Sequence, residues 1–343
     1  MTTTPDAVGA VLCAGFGTRL SPLTETLPKP LIPFLNTPLV TYGLDHLASA
    51  GIKRVGVNLH HLPDAIPPVV DRLAVTMGLD VVYAREWEIL GTAGGIRGIW
   101  HALGEPDATL VVLNGDSVMD IDLGDCLKKH RAKGRRASLV VRVKDESQPG
   151  KVWVDEESLE LRGLRDMRHP EATGDLREFD YTGVGLYEPS LLREIPVEKG
   201  CVVGDVLGPL MESGEGFGAV IHEGFWAALD NPTLYFQTTR QVLDDPELFA
   251  QVPLPAPLDE GLFVFNQDGI HDKAKLAGPL LTGAHVSIER GARVGPYAVL
   301  DGVEVSEGAR VKDAILYGMG RVEGEWERCI AVAGKVLPIP EDA

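Results

Sequence analysis

A glycine-rich turn with two cations is the first group of residues whose types and spacing could do chemistry. It follows the apolar run at residues 8 to 12 and contains Gly15 and Gly17, with Arg19 two positions later and Lys29 ten positions beyond Arg19. Small residues let the backbone approach a ligand closely, and the N–H groups of such a turn favour an anion. Arginine offers phosphate a planar fork, and lysine offers a point charge. The spacing therefore predicts a cradle for a polyphosphate.

Two common phosphate-binding motifs do not describe this turn. A dinucleotide-binding loop needs a third glycine where this chain has Leu20, and a P-loop needs Gly-Lys followed by Ser or Thr. Residues 15 to 24 read GFGTRLSPLT, and residues 28 to 33 read PKPLIP. This string resembles the signature of the sugar-1-phosphate nucleotidylyltransferases, which make nucleotide sugars, and the resemblance extends through about residue 245. The alternative is a glycine turn with an incidental arginine and lysine.

The resemblance implies two nucleotide-binding stretches. The first is the loop, with Ala14, Gly15, Gly17, Thr18 and Arg19 as the residues that contact the nucleotide. The second is the GTAGG stretch at 91 to 95, where the family's matching residues lie beside the nucleobase; here these are Gly91, Thr92 and Gly94. An ordinary helix start remains the alternative for the second stretch.

Asn-Gly-Asp at positions 114 to 116 ends another apolar run, at residues 109 to 113. In the resembling family this motif marks the sugar-nucleotide centre, so Asp116 is expected to hold the catalytic Mg²⁺. A carboxylate suits Mg²⁺, which takes one or two carboxylates and leaves its other positions to phosphate and water. With Arg19 and Lys29, Asp116 completes the expected catalytic set. The alternative for Asp116 is a turn residue at a strand end.

A strand-rich stretch from about residue 137 matches the family's sugar-binding half. The resemblance implies that Gly150 approaches the sugar closely and that Thr182 and Gly183 also contact it. Plain sheet residues are the alternative for these positions.

Two departures from the family pattern concern charged residues. Many members carry F-x-E-K-P, whose lysine contacts the sugar phosphate, but residues 164 to 168 here read LRDMR and place Met167 at the lysine position. We expect Arg165 or Arg168 to replace that charge.

The second departure is in W-x-D-x-G-T-P, whose aspartate is the family's second metal ligand. Ala228 stands at that position, and the nearby acid is Asp230. We predict that Asp116 is the dominant metal ligand and that Asp230 contributes through water or only with substrate bound. The alternative for Asp230, just before Asn231 and Pro232, is a helix N-cap or turn residue.

Alternating strand and helix patterns must position these residues. Short apolar runs at 8 to 12, 54 to 59, 79 to 84 and 109 to 113 alternate with helical patterns at 38 to 50, 62 to 76 and 91 to 103. Such alternation indicates an α/β domain with a mostly parallel, three-layer, Rossmann-like sheet and ligands at the carboxyl ends of its strands. We assign residues 1–245 to this nucleotidyltransferase domain.

The chain beyond it divides into a linker and a tail. A proline-rich stretch marks residues 246–268 as a linker. In residues 269–343 apolar residues recur at intervals of six, at Ile288, Val294 and Leu300, and after a slip of one at Val305 and Val311. A hexad period predicts a short left-handed parallel β-helix. Similar tails in this family serve assembly, allosteric sensing or acyl transfer, and the absence of a His-centred motif favours assembly into a homo-oligomer.

Composition limits the possible functions. The 343 residues have a formal net charge of −18, which disfavours binding to a nucleic acid polymer because that requires a basic surface. No apolar run reaches the ~20 residues of a membrane span, and no signal peptide is recognisable, so we expect no membrane association and a cytoplasmic protein. The four cysteines are far apart, which favours reduced thiols. For His60 and His61 a solvated turn is favoured over a metal site.

These observations predict nucleotidyl transfer from an NTP to a sugar 1-phosphate, giving an NDP-sugar and pyrophosphate, with Mg²⁺ as the cofactor. Within the resembling family, GTAG occurs in mannose-1-phosphate guanylyltransferase-like and in glucose-1-phosphate thymidylyltransferase-like members, and we favour guanylyl transfer to a mannose-like sugar. The alternative is a non-catalytic regulatory paralogue that binds the nucleotide sugar, because both departures remove charged residues.

Overall fold

The computed structural model describes residues 6–144, 152–173, 176–196, 198–251 and 254–341. Within these ranges no helix is long and apolar enough to cross a membrane. The strands of the first part are β1 (Ala7–Leu12), β2 (Pro33–Phe34), β3 (Thr37–Pro38), β4 (Arg54–Leu59), β5 (Asp80–Arg85), β6 (Thr109–Asn114), β7 (Ser117–Met119) and β8 (Ala137–Val143). They are followed by β9 (Val152–Asp155), β10 (Glu160–Leu164), β11 (Met167–Arg168), β12 (Arg177–Tyr187), β13 (Phe217–His222) and β14 (Trp226–Ala228).

The α-helices are α1 (Leu39–Ser49), α2 (Pro67–Met77), α3 (Gly91–Ala102), α4 (Leu123–Lys133), α5 (Pro189–Leu192), α6 (Gly208–Glu212) and α7 (Pro232–Asp244). The C-terminal strands are β15 (Leu262–Val264), β16 (Lys275–Leu276), β17 (Leu280–Thr282), β18 (Val286–Ile288), β19 (Arg293–Val294), β20 (Ala298–Val305), β21 (Arg310–Val322), β22 (Glu325–Val332) and β23 (Lys335–Pro338).

By residue contacts the chain divides into two compact units. The first contains Met1–Gly15, Val40–Ser117 and Ile121–Trp226, and the second contains Phe16–Leu39, Val118–Asp120 and Ala227–Ala343. The boundaries proposed from the sequence follow the chain instead, so they stay a prediction. The segment expected to be a linker includes strand β15, which pairs with β17 in parallel.

A ten-stranded mixed sheet forms the first unit, in the order β11-β10-β13-β8-β12-β6-β1-β4-β5, with β9 paired to β10 and β12. Strands β6, β1, β4 and β5 are parallel neighbours, as the strand–helix alternation predicted. Strand β12 lies antiparallel between β6 and β8. The sheet is therefore mixed, because β12 runs against both of its neighbours.

Helices cover both faces of the parallel part of the sheet. A Cβ atom at Gly9 would lie 2.8 Å from Leu47, and Val11 on the same face approaches α1 at Gly43. Ala10 points to the other face, where it belongs to the cluster of buried residues that includes Ile99 on α3. Since successive strand residues face opposite sides, α1 and α3 lie in different layers. This is the expected α/β arrangement of helix, sheet and helix.

Parallel strand pairs make up most of the C-terminal segment, with an offset of eighteen residues in the first pairs that falls to fifteen between β21 and β22. Leu262 lies opposite Leu280 and Leu280 opposite Ala298, each eighteen positions further along the chain. Eighteen residues are three hexads, the period found in the sequence. The hexad residues are buried: Ile288, Val294, Leu300, Val305 and Val311.

Candidate active site

The end of β1 is held by a buried polar network. The backbone N–H of Cys13 donates a 2.6 Å hydrogen bond to Asn58 Oδ1 at the end of β4. Asn58 Nδ2 donates to Glu86 Oε1 at 2.7 Å, and the N–H of Leu90, just before α3, donates to Glu86 Oε2 at 2.8 Å. Asn58 and Glu86 are 3% and 7% exposed. The network joins the ends of three neighbouring strands to the start of α3.

Sequence reasoning missed both members of this network. The available signal was a polar side chain at the end of each apolar strand, Asn58 near the end of β4 and Glu86 just after β5. In a parallel sheet such positions share one edge.

The second expected nucleotide-binding stretch forms the first turn of α3. The backbone N–H of Ala93 donates to the carbonyl of Gly200 at 2.9 Å, and the N–H of Gly200 donates to the carbonyl of Leu90 at 2.9 Å. The Thr92 hydroxyl accepts from the N–H of Val202 at 2.9 Å. Gly91 is exposed at the helix start and Gly94 is buried. This part of the stretch therefore lies against residues 200–202, and its contact with a base stays a prediction.

The Asn-Gly-Asp turn lies beside the predicted sugar residues. Gly183 has φ +84°, and a Cβ atom there would lie 2.5 Å from Asn114 Nδ2. The Thr182 side chain is buried, and its hydroxyl donates to the Val140 carbonyl at 2.8 Å. The first unit thus brings Asn114, two residues before Asp116, against the Thr182–Gly183 bulge of β12. Gly150, the other predicted sugar contact, lies outside the described residues.

The loop residues occupy different environments. Ala14 is buried, Gly15 and Thr18 are exposed, and Gly17 has φ +63° just before a short turn of 3₁₀ helix, Thr18–Leu20. A Cβ atom at Gly17 would lie 2.9 Å from Lys29 Cβ. Glycine is therefore required here on two grounds, backbone conformation and space.

Arg19 and Lys29 share one acidic partner in the second unit. Lys29 Nζ lies 2.7 Å from Asp230 Oδ1, and Arg19 Nη2 lies 3.1 Å from Asp230 Oδ2. The Lys29 side chain is 7% exposed, whereas the Arg19 side chain is 66% exposed. Because a buried ammonium is costly without a counter-charge, Asp230 stabilises Lys29 in this position.

The N-cap of α7 is Asn231, whose side chain accepts from the Leu234 N–H at 2.9 Å. Asp230, one residue earlier, was the alternative N-cap in the sequence. Its role as a second metal ligand stays a prediction, although both of its oxygens form ion pairs here.

The two arginines expected to replace the missing lysine have partners within the first unit, and their contact with a sugar phosphate stays a prediction. Arg165 has φ +55° and its Nη2 donates to Cys201 Sγ at 3.2 Å. The Arg168 guanidinium lies 3.5 Å from the Trp153 ring centroid and donates to the carbonyls of Arg165 and Met167. The Met167 side chain would clash with any Cβ atom at Gly208, so it fills space against α6.

Asp116 is the residue that fits a metal on chemical grounds. It is half-buried at the end of a parallel strand, and its charge adds to burial in raising the pKa of the Cys13 thiol. Among the described residues no three His, Cys, Asp or Glu side chains gather as a metal cage. A single carboxylate fits Mg²⁺ that arrives with phosphate ligands of its own.

Known proteins resemble this chain over most of its length. The UTP–glucose-1-phosphate uridylyltransferase of Synechocystis sp. is 29% identical, over 91% of this chain and 83% of that protein. Mannose-1-phosphate guanylyltransferase 1 of Arabidopsis thaliana is 27% identical, over 93% and 88%, and the mannose-1-phosphate guanyltransferase of Hypocrea jecorina is 28% identical, over 97% and 93%.

The fold is also found in a solved structure. A Bacillus anthracis protein described as a glucose-1-phosphate thymidylyltransferase, in complex with sucrose, matches with a TM-score of 0.55 at 17% identity, over 70% of this chain and 96% of that chain. The model of the nucleotidyl transferase family matches residues 8–244. This chain therefore belongs to the nucleotidyl transferase family.

Proposed function

We propose that this protein transfers a nucleotidyl group from an NTP to a sugar 1-phosphate, releasing pyrophosphate and an NDP-sugar. The observation that carries the proposal is the pairing of Arg19 and Lys29 on one carboxylate, directly after the glycine turn. Two cations fixed side by side suit a polyphosphate. The relatives named above support the substrate class.

The reaction needs no covalent intermediate. An oxygen of the sugar phosphate attacks the α-phosphorus in line, and pyrophosphate leaves. The protein contributes positioning and charge stabilisation. Arg19 holds the leaving pyrophosphate, and Lys29 neutralises charge that develops on the transferred phosphate.

Other residues bind and orient the substrates. The backbone of the loop, with Ala14, Gly15, Gly17 and Thr18, approaches the triphosphate, and the start of α3, with Gly91, Thr92 and Gly94, lines the base. Thr182 and Gly183 contact the sugar; Gly150, from sequence alone, joins them. Asp116 holds Mg²⁺, which supplies charge neutralisation between phosphates when bound; Asp230 is proposed to join it only with substrate bound.

The proposed nucleobase and sugar are those that we favour from the sequence. We favour a guanine nucleotide and a mannose-like sugar; the GTAG stretch at 91–94 occurs in members with that specificity and also in glucose-1-phosphate thymidylyltransferase-like members. Two of the relatives named above are described as mannose-1-phosphate guanylyl- or guanyltransferases, and one as a glucose-1-phosphate uridylyltransferase.

The test is pyrophosphate release with Mg²⁺ over a panel of NTPs and sugar 1-phosphates. We expect release to require both substrates and the metal, and to be fastest with GTP and mannose 1-phosphate. Release that needs no sugar phosphate would indicate NTP hydrolysis instead.

A second candidate function is supported by Ala228 and Met167, which replace an acid and a base of the family pattern. In this alternative the chain is a regulatory paralogue that binds a nucleotide sugar without turnover. Saturable binding of NDP-sugars, with no pyrophosphate released over the whole panel, would favour it.

The C-terminal segment is proposed to be a left-handed parallel β-helix that serves assembly. The eighteen-residue register and the buried hexad residues support a coiled arrangement of three hexads a turn. Light scattering on the full chain is expected to give the mass of a homo-oligomer, and a monomer mass at micromolar concentration would contradict the assembly role. Cytoplasmic location remains a prediction from the sequence.

A further inference from the structure

Arg142 lies near the carboxyl end of β8, outside every motif that the sequence singled out. It is opposite Asp180 on β12 and opposite His222 on β13. Strand β8 is separated from β6 by β12 alone, and it runs in the same direction as β6 because both pair antiparallel with β12. Arg142 therefore stands at the same sheet edge as the end of β6, across two strand spacings of about 4.8 Å each.

A continuous set of contacts connects Arg142 to the Asn-Gly-Asp turn. Gly183 lies against the side chain of Asn114. The preceding residue, Thr182, accepts a 2.8 Å hydrogen bond at its carbonyl from Trp226 Nε1. The Arg142 guanidinium lies over the Trp226 ring, 4.8 Å from its centroid. The arginine is thus stacked on the residue that covers the predicted sugar strand.

The Arg142 guanidinium keeps hydrogen-bonding capacity. Its ion pair with Asp180 has 3.8 Å between Nη2 and Oδ2, which is longer than a hydrogen bond. Its Nε is buried and has no hydrogen-bond partner among the described residues. The side chain as a whole is 26% exposed. A buried donor without a partner is costly, so a ligand that accepts from this group gains affinity.

Neighbouring arginines of this half of the unit are less suited to a ligand. Arg168 is stacked on Trp153 and donates to two backbone carbonyls. Arg162 forms a 2.8 Å ion pair with Glu160. The position where the family pattern has a lysine carries Met167.

We propose that Arg142 binds the phosphate group of the sugar 1-phosphate. The inference rests on the proposed function, since it assigns the second substrate's charge to a residue of this chain. A guanidinium stacked on an aromatic ring is held in one plane, and two of its donors then face a phosphate as a fork. Trp226 positions Arg142, and the phosphate completes its hydrogen bonds.

The test is steady-state kinetics of the full chain with Arg142→Gln, Arg142→Lys and the control Arg193→Gln, which changes an exposed arginine paired with Asp107. Loss of charged hydrogen bonds to a phosphate predicts that Arg142→Gln raises the KM for the sugar 1-phosphate by about 10- to 100-fold, with the KM for the NTP changed less than about twofold. Arg142→Lys should recover part of the affinity because it keeps the charge but loses the fork. Arg193→Gln should leave both KM values near those of the wild type.

A binding measurement separates failure of this inference from failure of the proposed function. Calorimetry with the sugar 1-phosphate and with the unphosphorylated sugar should show that the wild type prefers the phosphate and that Arg142→Gln loses the preference while retaining its melting temperature. Normal wild-type turnover with an unchanged KM in Arg142→Gln would overturn the role of Arg142 alone. A wild type that neither binds nor converts any sugar 1-phosphate would overturn the proposed function. If Arg142→Gln melts early, Arg142→Lys carries the test, and an unchanged preference in that variant would also contradict the inference.

Discussion

Lys29 and Asp230 form an ion pair with 2.7 Å between Nζ and Oδ1, although 201 residues separate them in the chain. The lysine is almost completely buried, whereas a quarter of the Asp230 side chain is exposed. The carboxylate therefore offsets the desolvation of the ammonium and still reaches solvent. Arg19 binds the other oxygen of the same carboxylate. The two cations are thus held in place before any phosphate arrives.

The two cations should be needed for turnover. Arg19→Ala and Lys29→Ala are each expected to lower kcat/KM by about 10²-fold or more, because a charged contact to a developing anion is worth about 2.7–4 kcal/mol. The measurement is pyrophosphate release at saturating Mg²⁺. Arg193→Ala, which removes an exposed arginine from its pair with Asp107, serves as the control. Near-normal turnover in both site variants would remove the proposed roles.

Replacing Asp116 should mainly lower turnover, whereas replacing Asp230 should mainly lower stability. Asp116→Asn is expected to lower Mg²⁺-dependent turnover by at least about 10²-fold. Asp230→Asn removes the charge partner of Lys29 and should destabilise the fold by about 1–3 kcal/mol, while lowering turnover less.

Urea unfolding and metal-dependent kinetics on the same preparations distinguish the two aspartates. If Asp230→Asn keeps full stability but loses turnover as completely as Asp116→Asn, the two carboxylates share the metal and the counter-ion role of Asp230 is wrong.

Glu86 should matter for both stability and activity. Glu86→Gln keeps the size of the side chain but leaves one of two N–H donors, from Asn58 or Leu90, facing an amide NH₂. A buried donor without an acceptor costs about 1–3 kcal/mol, and we expect the free energy of unfolding to fall by that amount, with reduced kcat/KM. The exposed Glu88→Gln, two residues further, is the control. Equal stability of both variants would show that the network does not hold the strand ends.

The parallel strands of the sheet could be predicted from the sequence, because buried strands appear as short apolar runs between helical patterns. Strands β1, β4, β5 and β6 lie within one or two residues of the predicted positions. Helix α2 begins at Pro67 rather than at residue 62, because proline has no N–H to donate and fits the first turn.

Helix α4 was missed since most of its residues are polar. The buried residues of this helix do have helical spacing: Leu123, Cys126, Leu127 and His130. Because the last of them is a polar histidine, the apolar pattern is too short to predict a helix. The side chain of Asp122 accepts a hydrogen bond from the Asp125 N–H. Aspartate is a preferred N-cap residue, so Asp122 could have indicated where the helix begins.

The site could be predicted only as far as its local motifs. The glycine turn, Asn-Gly-Asp and Thr182–Gly183 are contiguous strings, so their resemblance to the family pattern identified them. The ion pair of Lys29 with Asp230 and the stacking of Arg142 on Trp226 join residues far apart in the chain. Such partners depend on strand order and register, which a single sequence does not specify.

The four cysteines should differ in reactivity. Burial raises the pKa of Cys126 to about 12 and that of Cys329 to about 11, and burial together with the charge of Asp116 raises the pKa of Cys13. Because the thiolate is the reactive form, these three should react slowly in the native state at pH 8. Cys201 is half-buried beside Arg165.

A native thiol titration with an aromatic disulfide reagent is therefore expected to show one fast thiol per chain. Cys201→Ser should remove this phase and Cys126→Ser should leave it intact. Two or more fast thiols would mean that the core around Cys13 or Cys126 opens more readily than its packing implies.

The central claim, sugar-1-phosphate nucleotidyl transfer, is tested most directly by following both products at once. Phosphorus NMR of the full chain with Mg²⁺, GTP and mannose 1-phosphate, and with UTP or dTTP and glucose 1-phosphate, should show an NDP-sugar and pyrophosphate appearing in equal amounts for at least one pair. The signals of the NTP and the sugar phosphate should decline together. The contradicting result is a wild-type protein that binds these ligands but leaves every substrate signal unchanged, or one that consumes NTP while the sugar 1-phosphate persists.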